Sequence, residues 1–435
     1  MPALTLTLCS FAIILLLSRL KAPLWAAIST GTIALGLFFG ATPLEIARVA
    51  FTGATRSTSI GLLLVMALLM AFSESLRQTG RLEKVVESVN AFFRRPAITL
   101  AALPALIGLL PMPGGALFSA PMVRQAAGEK PPDGNLLSAL NYWWRHIWEH
   151  WWPMYPGVIL AMTLTSSSLM EFIAYQFPLC LGMALTGLLI VRSLHPDMHR
   201  VLPPAPPGTF RRLVTAIAPI GCVLVLWFAA DFGIKTGARL QPVRFQALSP
   251  GLQQLATKFA PLLLGLVGSL VVTLVPSRLP FRKVIRLFGG KETLPLLGLV
   301  LSVMIYQQML THVNAAQRIG QELTDRNVPL TSVVIALPFI AGMLTGIAFG
   351  FVGVSFPIVL SLVAGIPDTP MRPYVVLAYA SGHIGMMLSP IHLCYVVSNR
   401  YFGASFGSTY RYIGLPSLLM ALLAGAYFLI LRWTL

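Results

Sequence analysis

One stretch of the sequence concentrates groups able to do chemistry: Asn141-Tyr142-Trp143-Trp144-Arg145-His146-Ile147-Trp148-Glu149-His150-Trp151-Trp152-Pro153. Four ionisable residues stand there among five tryptophans. Drawn as a helix, the stretch puts Tyr142, His146, Glu149 and Pro153 on one face. A second stretch repeats the pattern with less charge, aligning Tyr379, His383, Met386 and Pro390, with Ser381 and Ser389 close by. Ionisable side chains inside a membrane are costly and mark functional sites by default. The competing reading is an interfacial segment, where a tryptophan belt and snorkelling charges are ordinary. Residues 378–390 carry no charge beyond a His⁺ and read as intramembrane, and register with them favours the same depth for 143–152. Pro153 and Pro156-Gly157 then break the helix and free carbonyls for an ion or a polar ligand.

His146-Ile147-Trp148-Glu149-His150 also fits H-x-x-E-H, the pattern of inverted zinc peptidases. On an α-helix this spacing places both histidines on one face, as zinc requires. A membrane-embedded metalloenzyme is therefore one alternative function. Against it, the second stretch reads His383-Ile384-Gly385-Met386-Met387, and no downstream acidic residue is placed as a third ligand. The four cysteines, Cys9, Cys180, Cys222 and Cys394, lie singly in apolar runs, the pattern of packed thiols, not of disulfides or metal sites.

The elements that must position these residues follow from composition. The chain has 435 residues, 56% hydrophobic and only 10% charged, where a soluble domain carries about a quarter charged residues. Lipid is its solvent. Full spans are expected near 4–18, 22–40, 58–76, 137–165, 172–191, 213–231, 259–275, 294–312, 372–397 and 412–433. The first is read as retained and not as a signal peptide, having no preceding positive charge and no small-residue cleavage site. The net charge of +17 lies in short loops between spans, which excludes a nucleic-acid partner. With the N-terminus outside, cytoplasmic segments collect 20 Lys/Arg against 10 outside, the positive-inside bias.

Two further apolar stretches, 97–127 and 330–362, are interrupted at Pro111-Met112-Pro113-Gly114-Gly115 and between Thr345-Gly346 and Gly353. Each arm, about 14 residues or ~21 Å as a helix, is too short to cross. They read as re-entrant hairpins, with a Pro-kinked pair of spans as the plain alternative. Hairpin tips leave backbone groups that only protein, water or a ligand can satisfy. The arm leaving each tip presents a helix N-terminus, which favours an anion. Pro113, Gly114, Gly115, Gly346 and Gly353 permit close backbone approach, and Ser119, Thr345 and Ser355 offer hydroxyls. The alternative is that these glycines serve helix packing.

An internal repeat ties the pieces together. Ala102-Leu103-Pro104, Gly108 and Leu110 match Ala336-Leu337-Pro338, Gly342 and Leu344 at an offset of 234. The offset is 237 at Tyr142/Tyr379, His146/His383, Ile147/Ile384 and Pro153/Pro390. Repeat 1 (1–192) and repeat 2 (211–435) flank a linker, 193–210. Five spans per half is odd, so the halves must run oppositely across the membrane, as in secondary transporters. The fold expected is an all-α polytopic membrane protein, about 10 transmembrane helices plus two re-entrant hairpins in two inverted-topology repeats.

The span order, the hairpin before each broken span, and the Leu109–Pro121 hairpin resemble the ion transporter superfamily, which includes gluconate, citrate and dicarboxylate carriers. The chain looks closest to an uncharacterised domain-of-unknown-function branch. The Ser-Asn-Thr hairpin signature of the dicarboxylate branch is absent, so its sodium chemistry does not carry over. The resemblance implies a secondary active transporter with elevator-type alternating access in a bacterial inner membrane, and a homodimer among lipids is expected. A small organic anion, a carboxylate above all, is the expected substrate. No P-loop pattern is present, so H⁺ or Na⁺ is the expected coupling ion, with no other cofactor. The candidate site residues are Pro113, Gly114, Gly115, Ser119, Asn141, Tyr142, His146, Glu149, Thr345, Gly346, Gly353, Ser355, Tyr379, Ser381, His383 and Ser389. An uncoupled channel is the third class kept open.

Overall fold

A computed structural model describes residues 2–81, 84–85, 88, 92–93, 95–109, 115–199, 208–277, 279–290, 293–325 and 329–435. Among them every regular element is a helix. Six helices are long and apolar enough to cross a membrane: α4 (Ser57–Gln78), α9 (Leu169–Arg192), α10 (Thr209–Leu240), α11 (Pro250–Leu274, with a π-helical turn at Leu255–Phe259), α12 (Thr293–His312) and α18 (Phe406–Thr434). Pro178, Pro219 and Pro416 lie inside three of them, which bundles tolerate because neighbours re-satisfy the freed backbone.

The first N-terminal helix covers the expected 4–18, and the second is shorter than the expected 22–40. α1 (Ala3–Arg19) and α2 (Leu24–Phe38) have 17 and 15 residues, about 26 and 23 Å at 1.5 Å per residue. Pro23 starts α2, and Gly40, at φ +85°, turns the chain away after it. α3 (Pro43–Thr55) follows, opened by a capping box between Thr42 and Glu45. Segment 313–329 contains α13 (Ala315–Asp325), whose Glu322 accepts the backbone N–H groups of Ala3 and Leu4 at the start of α1. A carboxylate there satisfies donors that the helix itself leaves free.

Each apolar stretch read as a hairpin is a helix pair packed side by side: α5 (Pro96–Gly108) with α6 (Ala116–Ala126), and α14 (Leu330–Thr345) with α15 (Ala348–Ala364). Gly346, at φ +64°, makes the second tip a two-residue turn; this is a left-handed position that glycine occupies without strain. Pro113 and Gly114, expected at the first tip, lie outside the described residues. Both spans read as broken are broken. α7 (Gly134–Arg145) passes into a 3₁₀ turn at Ile147–His150, and α8 (Pro156–Thr165) restarts at a proline. α16 (Met371–Met387) stops before Pro390, and α17 (Leu393–Phe402) restarts after it.

The helices pair reciprocally. α1 packs on α2 as α10 packs on α11, and α12 packs on α2 as α4 packs on α11. The second arm of each hairpin packs on the second half of the other broken span, α15 on α8 and α6 on α17.

Candidate functional site

The broken spans meet at their breaks, and two local contacts and one exchanged between the halves recur at the spacing of the sequence repeat. A Cβ built on Gly108 would lie 2.2 Å from the Arg145 carbonyl oxygen, and one on Gly342 would lie 2.1 Å from that of Gly382. Trp152 Nε1 donates to the Leu109 carbonyl at 3.0 Å, where Ser389 Oγ donates to that of Met343 at 2.7 Å. Across the halves, the Tyr142 hydroxyl donates to Met387 O at 3.0 Å, with Met386 O at 3.5 Å, while Tyr379 donates to Glu149 O at 2.7 Å. Met386 stands 237 residues after Glu149, the same step that separates the two tyrosines. Each tyrosine thus closes on carbonyls that the other helix frees where it ends.

Between the breaks lies a cavity of about 450 Å³. Its wall takes Arg145, His146 and Glu149 from the first broken span and Met386, His392 and Cys394 from the second. Gly346, Ile347 and Ala348 bring in the second hairpin tip, and Pro23, Leu24, Trp25, Leu296 and Leu299 close the side with apolar surface. Three helices start on this wall: α8 at Tyr155-Pro156-Gly157, α15 at Ala348-Phe349, and α17 at His392-Leu393-Cys394. Their first N–H groups have no intrahelical acceptor, and each end carries roughly half a positive charge.

The charged and titratable groups on the wall lie close to one another and to backbone carbonyls. The Arg145 guanidinium lies against Gly115, where an added Cβ would sit 2.4, 2.6 and 2.7 Å from Nη2, Cζ and Nη1. Its Nη1 also donates to Ile107 O at 3.4 Å. Gly108 O, at the end of the first hairpin arm, accepts from the Tyr155 hydroxyl. His146 Nδ1 sits 2.6 Å from Tyr142 O and its Nε2 3.9 Å from Glu149 Oε1. The His392 ring stacks edge-on against His146, centroids 4.7 Å apart.

Of the residues expected from sequence, His146, Glu149 and Gly346 line this cavity. Tyr142 and Tyr379 brace it from behind through the reciprocal bonds. Asn141 donates to Ser398 Oγ at 2.8 Å. The hydroxyls of Ser119, Thr345 and Ser355 return to carbonyls of their own helices, the usual fate of a hydroxyl within a helix. Gly353 faces a side chain, with Val303 Cγ2 2.6 Å from a built Cβ. Ser381 is buried, and His383 stacks on His150 with centroids 4.2 Å apart.

The H-x-x-E-H geometry does not survive the break. Residues 147–150 form a 3₁₀ turn, with about three residues per turn, so positions 146 and 149 align and 150 turns aside. Among the described residues, His146 shares a metal-capable cluster with His392 and Cys394, not with His150. His392 and Cys394 are not among the residues the sequence points to, and Arg145 enters there only as a neighbour of the His146 face that strengthens an anion field if it reaches the cavity. A cavity-facing role for His392 and Cys394 is invisible in spacing, because they lie about 250 residues from His146; the Arg145 position beside His146 was the available signal.

No curated protein matches this chain. A family model described as "Protein of unknown function (DUF401)" matches residues 3–225 and 252–431. The match covers both broken spans, both hairpins and most of the remaining helices, and the chain belongs to the DUF401 family.

Proposed function

We propose that this protein is a secondary active transporter of a small organic anion, a carboxylate being the first candidate, built from two inverted repeats related by a pseudo-two-fold axis. The observation that carries the reading is the cavity at the two breaks, into which three helix N-termini and the Arg145 guanidinium converge. The ends of α7, α14 and α16 lie on the same wall and offset the dipoles of the three helix starts. The anion preference therefore rests on the Arg145 guanidinium and on the N–H donors that the helix starts present, in a low-dielectric setting that strengthens both. The repeat relation is supported by the exchanged tyrosine bonds and by the exchanged hairpin packing, since a two-fold partner makes every cross-contact twice. An odd number of crossings per half then inverts one half against the other.

The ion transporter superfamily is the architecture this arrangement fits, in a bacterial inner membrane. The hairpins and broken spans, which exchange contacts with one another, form the moving unit, and α1, α2, α10 and α11 form the scaffold. Glu149, His146 and His392 supply groups able to carry a coupling proton, and carbonyls freed at the breaks supply ligands for sodium. Segment 313–329, tied by Glu322 of α13 to the start of α1, is the arm that joins the scaffold to the moving unit. The test is binding to purified protein of mono-, di- and tricarboxylates, a neutral sugar and a cationic amine, with and without sodium, followed by counterflow in proteoliposomes. Saturable counterflow of a carboxylate is the expected result; selective binding of the amine would overturn the reading.

A further inference from the structure

The three-residue cluster on the cavity wall asks for a ligand of different chemistry. His146 stands at the end of α7, while His392 and Cys394 open α17, so each half of the chain contributes. All three side chains are buried, and one donor atom from each lies within 4.8 Å of those of the other two.

We propose that His146, His392 and Cys394 bind one borderline-soft divalent transition-metal ion of the Zn²⁺ class. The donor set is the one such ions choose, two imidazoles and a thiolate. The imidazoles are already oriented for it. His146 Nδ1 lies 2.6 Å from Tyr142 O and His392 Nδ1 lies 3.3 Å from Met386 O. A carbonyl only accepts, so each Nδ1 carries the proton and each Nε2 keeps its lone pair. A ring N–H held by a carbonyl is the usual support of a metal-ligating histidine.

The distances suit a site that closes on its ion. Bond lengths of about 2.0–2.3 Å place tetrahedral ligand atoms about 3.3–3.7 Å apart, so the present spread contracts by roughly 1 Å through side-chain rotation. Three protein ligands leave the fourth position facing the cavity, the open geometry of a reactive or exchangeable site. Glu149 Oε1, 3.9 Å from His146 Nε2, stands beside the cluster. Its carboxylate and the Cys394 thiolate balance the two charges of the ion. Metal binding is independent of the carrier reading, since it needs no substrate.

The experiment uses the full chain in detergent, stripped with a chelator and titrated with Co²⁺ in the absence of any organic anion. Expected are one equivalent of Co²⁺ per chain, tetrahedral d–d bands, a thiolate-to-cobalt charge-transfer band, displacement by Zn²⁺, and none by Mg²⁺, which seeks oxygen ligands. Cys394→Ser should abolish the charge-transfer band, and His392→Asn should weaken binding by at least ~10-fold, whereas exposed His195→Asn changes neither. In the wild-type chain, Zn²⁺ should slow maleimide modification of Cys394, mapped by mass, by at least ~10-fold relative to Cys222. This second readout holds even where the Cys394 variant does not fold. A Co²⁺ spectrum without a thiolate band, or equal Cys394 modification with and without Zn²⁺, overturns the proposal.

Discussion

Placing the Arg145 guanidinium against Gly115 gives a graded test of the anion reading. At about 4 Å and an effective dielectric of ~20, one charge pair is worth about 4 kcal/mol. Replacing Gly115 with Ala puts a Cβ 2.4 Å from Nη2, while ordinary contact begins near 3.4 Å. The guanidinium must therefore retreat by about 1 Å. Moving the pair from about 4 to about 5 Å removes about 0.8 kcal/mol, a fourfold loss of anion affinity. Gly115 has φ −56°, so alanine fits the backbone, and the effect reads through the arginine. Arg145→Gln removes the whole attraction. The anion's desolvation cost offsets part of it, leaving about 2 kcal/mol, or roughly thirtyfold. Calorimetry in detergent with the tightest-binding carboxylate, at fixed pH and ionic strength, would read both values. Wild-type affinity in Arg145→Gln, or a larger loss in Gly115→Ala than in Arg145→Gln, refutes the reasoning.

Gly108→Ala and Gly342→Ala should each lower the thermal midpoint, because a Cβ would meet a backbone oxygen at 2.2 and 2.1 Å, at an overpacking cost of about 1–3 kcal/mol; an unchanged midpoint in either shows that the helices part freely there. Tyr142→Phe and Tyr379→Phe each orphan a buried carbonyl, and unfolding in mixed micelles should show similar losses of about 1–3 kcal/mol. A loss confined to one of them argues against a two-fold relation. Single cysteines replacing the exposed residues Arg124 and Asp368, in a chain lacking the native cysteines, should react with impermeant maleimide from opposite faces of the membrane. Same-face labelling removes the inverted-repeat reading.

Helix-forming segments and their interruptions were legible because both are local. Apolar runs of membrane length, Pro156 and Pro390 at the breaks, and Gly346 at a tip that needs positive φ declare themselves without knowledge of their neighbours. The repeat was legible for a related reason. Gly108 and Gly342 each meet a backbone oxygen within their own half, and Tyr142 and Tyr379 exchange bonds across the halves, so both pairs keep register in the sequence. Side-chain direction at the breaks was not. A helical wheel carries His146 and His150 to one face, yet a 3₁₀ turn of four residues separates them, and no periodicity announces that change of pitch. Nor could spacing join His146 to Cys394, which reads alone as a packed thiol in an apolar run. Only the meeting of two breaks, fixed by helix packing over the whole chain, puts two imidazoles, a thiol, a guanidinium and three helix N-termini around one cavity. Contacts between residues hundreds of positions apart depend on how whole helices cross, and crossing is set by all the surfaces that pack, not by the residues that finally touch.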